Sequence, residues 1–294
     1  GSARYGAGDG PAGGGGMSRA PLLVELCAGT AALSLRLAAK HARPPVSRMG
    51  AKTGYADVIL RVLGLRPGQG ADRYLWCEPD DGVRLLLHAY TDRALATAAA
   101  EIIRGWKDEE PRALWERLRA EGPAKCPPVD AREVARWWLL GAWSAHGKDR
   151  NSYGGPGRPG GSETEREGTA RRGETATGLP ATIHPDARPL EPTNLPPGTV
   201  AYMDPPYQGT TPYAHLLPRQ DVVAMARRWA DAGALVCISE AEPIPELMAD
   251  GWHAVEIGGE RVGQKRTFSK QQREWLTMNR EPAWRPSEQA GLFP

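Results

Sequence analysis

Cross-linking residues are scarce in this chain. It has four cysteines, Cys27, Cys77, Cys126 and Cys237, and none of them forms a C-x-x-C pair. That scatter speaks against a disulfide framework and a cysteine-based zinc site; three of the four lie in apolar runs that read as buried strands. The six histidines show no metal-ligand spacing either. No uninterrupted apolar stretch approaches the roughly 20 residues of a membrane span, and no signal-peptide pattern is present. The expectation is a cytoplasmic protein with reduced thiols and no membrane partner. A strong charge of one sign is also missing, since 37 Lys and Arg stand against 35 Asp and Glu, a net +2. So small a surplus permits nucleic-acid binding without announcing it, because a local basic face disappears in the sum. What the chain does have is 10 tryptophans and 40% hydrophobic residues, enough for a sizeable core and against global disorder.

With 294 residues there is room for one large α/β domain and a smaller insert. Residues 1–20 are glycine-rich and polar and read as a flexible tag or tail. The folded part opens with the apolar run Leu22–Leu26, a small-residue turn and a helix-forming stretch from Ala31 to Leu37. Strand, tight turn and helix make the first unit of a doubly wound sheet. A helix is expected over Tyr55–Leu63, a strand over Tyr74–Cys77, and a helix from Val83 to about Ala100. Residues 101–150 read as helical, with Trp137 and Trp138 serving as helix core. Residues 151–180 are dense in Gly, Arg, Thr and Glu and read as a mobile loop. Order returns with a strand over Thr199–Met203, a helix near Arg219–Ala232 and a buried strand over Ala234–Ser239. A final hairpin joins His253–Ile257 to Glu274–Met278. There is no internal repeat. The domain reading is therefore a main domain of 21–104 plus 196–294, interrupted by an insert at 105–195.

Asp204-Pro205-Pro206-Tyr207 stands at the carboxyl end of a strand, the edge where ligands bind in open α/β sheets. The amine of adenine is a poor nucleophile because its lone pair is delocalised into the ring. A pair of acceptors that grips both N–H groups steers that nitrogen towards a nucleophilic geometry. Asp204 offers one acceptor and the Pro205 carbonyl another, while Pro206 stiffens the turn and Tyr207 offers a flat face to an unstacked base. Glu78, after the second strand, is suited to accepting both hydroxyls of a ribose. Asp80 and Asp81 beside it read either as helix caps or as adenosine contacts.

The tetrapeptide resembles the catalytic motif of amino-methyltransferases, and the wider pattern is most similar to the Dam-like family of DNA adenine-N6 methylases. The resemblance touches most of residues 21–280. It implies a Rossmann-like mixed sheet of the S-adenosylmethionine-dependent methyltransferase type, with an inserted, mostly helical DNA-recognition segment. It implies S-adenosyl-L-methionine as cofactor, held by Glu25, Cys27, Ala28, Gly29, Thr30, Ala31, Lys52, Glu78, Pro79 and Asp204. Glu25 would hold the ammonium group, directly or through water, and Lys52 would lie near the methionine end. Two departures stand out: Ala31 occupies a position where the family usually has glycine, narrowing backbone approach to the cofactor. Lys52 also follows the first strand, whereas the family places its lysine loop before it.

DNA is the implied substrate. Tyr153, with Arg150 and Asn151, falls in a stretch similar to the family's DNA-reading segment, and Lys148 and Arg158 join them as DNA-binding candidates. Arg166, Arg171 and Arg172, in the same 151–180 stretch, are further candidates. The chain is expected to be a monomer, with a cognate restriction enzyme as partner or none. Cytosine-N4 methylation, an RNA substrate, and a catalytically idle DNA-binding module remain open alternatives.

Overall fold

A computed structural model describes residues 19–46, 52–144, 152–155, 161–175, 177–206, 217–258 and 273–286. Seven strands form one sheet in the order β3-β2-β1-β4-β5-β7-β6. They are β1 (Leu23–Glu25), β2 (Tyr74–Cys77), β3 (Ala181–His184), β4 (Val200–Met203), β5 (Leu235–Glu240), β6 (His253–Glu256) and β7 (Trp275–Met278). The first five run parallel, while β7 lies antiparallel between β5 and β6. This mostly parallel mixed sheet, with helices on both faces, is compatible with a Rossmann-like fold.

The short strands read as continuous apolar runs because both of their faces are covered. Leu23, Tyr74, Trp76, Val200 and Tyr202 enter one core with helices α1 (Ala32–Ala38), α2 (Ala56–Val62), α3 (Asp81–Thr91), α4 (Arg93–Gly105) and α6 (Ala131–Trp143). Their alternates Val24, Cys77, Ala201, Met203, Val236 and Ile238 enter a second core with α8 (Arg219–Asp231) and the short α9 (Pro245–Ala249). One residue of register slip would exchange these two sets, so the pairing of Glu25 with Trp76 and Tyr202 is strongly specified. All four cysteines are free, with Cys27 half-buried and the others buried. Among the described residues no helix is long and apolar enough to cross a membrane.

The stretch from Val83 to Ala100, expected as one helix, is broken at Asp92. That residue is extended, and its carboxylate accepts the Leu95 amide to cap α4, while Asp80 caps α3 in the same way through Val83. β3 comes from within the 105–195 stretch read as an insert, yet it pairs with β2 as the sheet edge. The tryptophans of α6 are core as expected, with Trp138 and Trp143 fully buried.

The mobile loop expected at 151–180 is corrected in its central part, where residues Gly161–Thr175 form a helix, α7, packed on α4 and α6. With no large apolar residue it has no amphipathic signature, and tertiary contacts hold it instead. Arg104 of α4 bonds Glu167 at 2.7 Å and Glu174 at 2.9 Å. Arg166, only 3% exposed, donates to the carbonyls of Lys107 and Glu109 and lies over the Trp143 ring. Gly173 faces Trp138 so closely that a Cβ there would sit 2.1 Å from the indole. Gly173→Ala is accordingly expected to destabilise the protein by about 1–3 kcal/mol through overpacking. Denaturant unfolding measures this, with Gly105→Ala as the comparison, because a Cβ at Gly105 meets nothing within 4 Å. Equal stabilities for the two variants would show that α7 does not dock as described.

Candidate active site

The sheet winds outward from β1 through β2 to β3, and then restarts on the other side with β4. Strand ends diverge at such a reversal, and the crevice at their carboxyl edge is where open α/β sheets take ligands. The turn after β1 and the end of β4 meet at this point, since the Leu26 amide donates to the Tyr202 carbonyl at 3.0 Å.

Glu25 ends β1 on the buried side of the turn, 3% exposed, where it accepts the Ser34 amide of α1 at 2.9 Å. Burial pushes its carboxyl up to about 7, against the opposing Ser34 hydrogen bonds, and nearby Asp204 adds to the rise. The turn itself is tied to β2. Ala28 donates to the Cys77 carbonyl at 2.8 Å, and Gly29 donates to Glu78 Oε2 at 2.9 Å. Glu78 also accepts the Asp80 amide at 3.0 Å, so its carboxylate is fixed across the mouth of the turn. Gly29 has φ 50°, and a methyl at its α-carbon would meet no described residue within 4 Å. Thr30 Oγ1 is buried with no hydrogen-bond partner among the described residues. Burial pushes the Cys27 thiol well above its usual range, with Asp204 and Glu78 adding to the effect, so it stays protonated.

Ala31 adopts left-handed backbone, φ 49° and ψ 40°, as the N-cap of α1. Its side chain is fully buried in the core. The cost of alanine here is therefore backbone strain, on the order of 1–2 kcal/mol, and its methyl does not narrow the crevice as the sequence suggested. Asp80 and Asp81 both make contacts within the protein. Asp80 is a helix cap, and Asp81 pairs with Arg84 and accepts the Cys126 amide at 3.2 Å. Pro79 is exposed, and its carbonyl takes an Arg84 hydrogen bond at 2.7 Å.

Asp204 follows β4 directly, with Pro205 buried and Pro206 half-buried behind it. Tyr207 lies outside the described residues. The Asp204 carboxylate, 19% exposed, meets Lys52 Nζ at 2.7 Å. Burial raises the Asp204 carboxyl, and the Lys52 ammonium pulls it part of the way back. Lys52 opens a 3-10 turn, Lys52–Gly54, and its side chain is 8% exposed. The chain thus brings this lysine to the site although it follows β1. On its other side Nζ lies 3.6 Å from Glu274, a 4% exposed carboxylate just before β7.

Glu274 is a residue that the sequence did not single out. An acid beside an apolar run was visible, but the same description fits many solvated strand ends. Ser239 was missed as well; its hydroxyl lies 2.6 Å from the Tyr202 phenol under the site. Glu240, the last residue of β5, is 3% exposed and lies 3.7 Å from Arg219. No group of three or more His, Cys, Asp or Glu suited to a metal occurs among the described residues.

The DNA-binding candidates fare differently. Lys148, Arg150, Asn151 and Arg158 lie outside the described residues. Tyr153 is half-buried against Trp115 of α5 (Pro111–Ala120), ring centroids 5.7 Å apart, with Arg112 over its ring. Arg166 and Arg172 are corrected as free phosphate contacts. The first is buried as described, and the second bonds the Pro45 carbonyl at 3.2 Å and Thr169 at 3.1 Å. Arg171 remains exposed. No protein-family model matches the chain, and a search of curated proteins also finds no match.

The raised Glu25 carboxyl gives a stability prediction. A folded value near 7 against 4.5 unfolded means that its contribution is complete below about pH 4.5 and is lost as pH rises through about 7. Glu25→Gln stays neutral and can still accept the Ser34 amide. The variant is expected to gain about 2–3 kcal/mol over wild type on going from pH 5 to pH 8. Parallel pH-dependences of unfolding for the two proteins would contradict the burial assigned to this acid.

Proposed function

We propose that this chain is an S-adenosylmethionine-dependent methyltransferase that acts on the exocyclic N6 amine of adenine in DNA. The observation that carries the reading is Asp204, set at the end of β4 beside the sheet reversal and paired with a buried lysine. The mostly parallel mixed sheet is compatible with a Rossmann-like fold, which supports the reading.

The residues present fit the cofactor. Gly29, where a methyl would meet no described residue, Thr30, whose hydroxyl is buried with no partner among the described residues, and the fixed Glu78 carboxylate lie along one turn. Glu78 would take the ribose hydroxyls, with Pro79 beside it; Cys27, Ala28, Gly29 and Thr30 would line the turn, and Glu25 would face the ammonium group. When bound, S-adenosylmethionine supplies a methyl carbon already activated by its sulfonium leaving group. Asp204 and the Pro205 carbonyl accept the two N–H groups of the amine and orient its lone pair. Asp204 would accept the proton that the amine gives up once methylated. A carboxyl raised by burial is a better proton acceptor than an ordinary aspartate. Tyr207 is assigned the stacking face for the unstacked base. Holding both reactants in one crevice provides most of the acceleration.

The Ala31 methyl is buried in the core, so it lends no support to a catalytically idle module. Cytosine-N4 and RNA substrates use the same amine chemistry, and nothing in the site favours them over adenine in DNA.

Transfer of a labelled methyl group to DNA, followed by identification of the modified base, tests the reading. Asp204→Ala is expected to lower the rate at saturating donor by at least about 10²–10³-fold. Glu78→Ala is expected to weaken donor binding instead. Undiminished transfer by Asp204→Ala, or no donor binding by wild type, would overturn the proposal.

A further inference from the structure

We infer that Glu274 is a positioning residue that draws the Lys52 ammonium away from Asp204 when the amine arrives. The inference rests on Asp204 being the amine acceptor. Lys52 Nζ lies 2.7 Å from Asp204 and 3.6 Å from Glu274, so one ammonium bridges two carboxylates that come from β4 and from the approach to β7. The two acids differ in setting. Glu274 is 4% exposed and Asp204 19%, so Asp204 is the more accessible of the two. An incoming amine must take over an Asp204 oxygen that now receives the lysine.

A buried ammonium gives up one carboxylate only for another, because an unpaired charge in that setting is strongly destabilising. Glu274 provides the second partner within about 1 Å of further travel, so Lys52 remains paired while Asp204 is released. The release also raises the basicity of Asp204 as the amine loses its proton. Lys52 keeps its own proton throughout and carries no group between the reactants.

The charged and titratable groups described around Asp204 are Lys52 from the 3-10 turn, Glu25 and Cys27 from β1 and its turn, Tyr202 on β4, Glu240 on β5, and Glu274. Among these Lys52 is the one cation. Removing the Glu274 charge therefore leaves the lysine on Asp204, and the undivided lysine lowers the Asp204 carboxyl.

The test compares wild type, Glu274→Gln, Lys52→Met and the double variant. Carbon-13 NMR titration of the Asp204 carboxyl is expected to shift down in Glu274→Gln and up in Lys52→Met. In methyl transfer, Glu274→Gln is expected to lower kcat about 10-fold with KM for DNA nearly unchanged, and to move the acid limb of kcat to lower pH. In the Lys52→Met background the same substitution is expected to leave kcat unchanged, since its effect runs through the lysine. Glu274→Asp keeps the charge with a shorter reach, tests the idea should the glutamine variant not fold, and is expected to give an intermediate kcat. Equal kcat losses with and without Lys52, or an unmoved Asp204 titration, would overturn the inference. Absence of methyl transfer by wild type would instead overturn the functional reading, and the NMR titration would still decide whether Glu274 controls Asp204 through Lys52.

Discussion

Everything at the crevice follows from the reversal of strand order between β1 and β4. The chain leaves β1 on one side and returns through β4 on the other, the kind of reversal at whose carboxyl edge open α/β sheets take ligands. The turn after Glu25 and the proline-stiffened turn after Met203 therefore face each other across one gap. The Leu26 to Tyr202 backbone bond fixes their separation, and period-two burial on both faces of each strand fixes the register that makes this bond possible. Polar groups are then concentrated where the two cores end, so the carboxylates stand at the boundary between dry interior and open edge.

That placement has an energetic tension. Burying Lys52 with Asp204 and Glu274 removes three charges from water, and desolvation of this size often cancels the attraction gained. A hydrophobic trio of similar volume would serve stability at least as well. The strain at Ala31 and the near-neutral Glu25 have the same character, each working against stability beside the same gap. Local costs that cluster at one edge of an otherwise regular sheet are consistent with a site selected for chemistry before stability.

Much of this was legible in the sequence, and the parts that were not share a cause. β1, β2, β4 and β5 announced themselves as apolar runs bounded by turn residues, and the candidate site residues Asp204 and Glu78 follow β4 and β2 directly. β3 is four residues in polar surroundings, and only its hydrogen bonds to β2 make it a strand. Helix α7 has the composition of a loop, and its order comes from Arg104, Arg166 and a glycine contact. The Lys52–Glu274 pairing joins residues more than 200 positions apart, which no local pattern encodes. Ala31 could be seen to depart from glycine, but whether its methyl met ligand or core depended on the fold. Periodicity reports an element's own burial; it does not report which distant residue completes that burial.

The contact between Gly173 and Trp138 shows how this dependence on distant partners constrains change. A hydrogen atom is all that position 173 can place against the indole, and the indole fills the space that any larger residue would need. Neither position is free to drift alone. A descendant that enlarges one must shrink the other, so the two should covary as a linked pair. The helical lobe would then diversify through coordinated replacements across the α6–α7 boundary, while the exposed face of α7 varies freely.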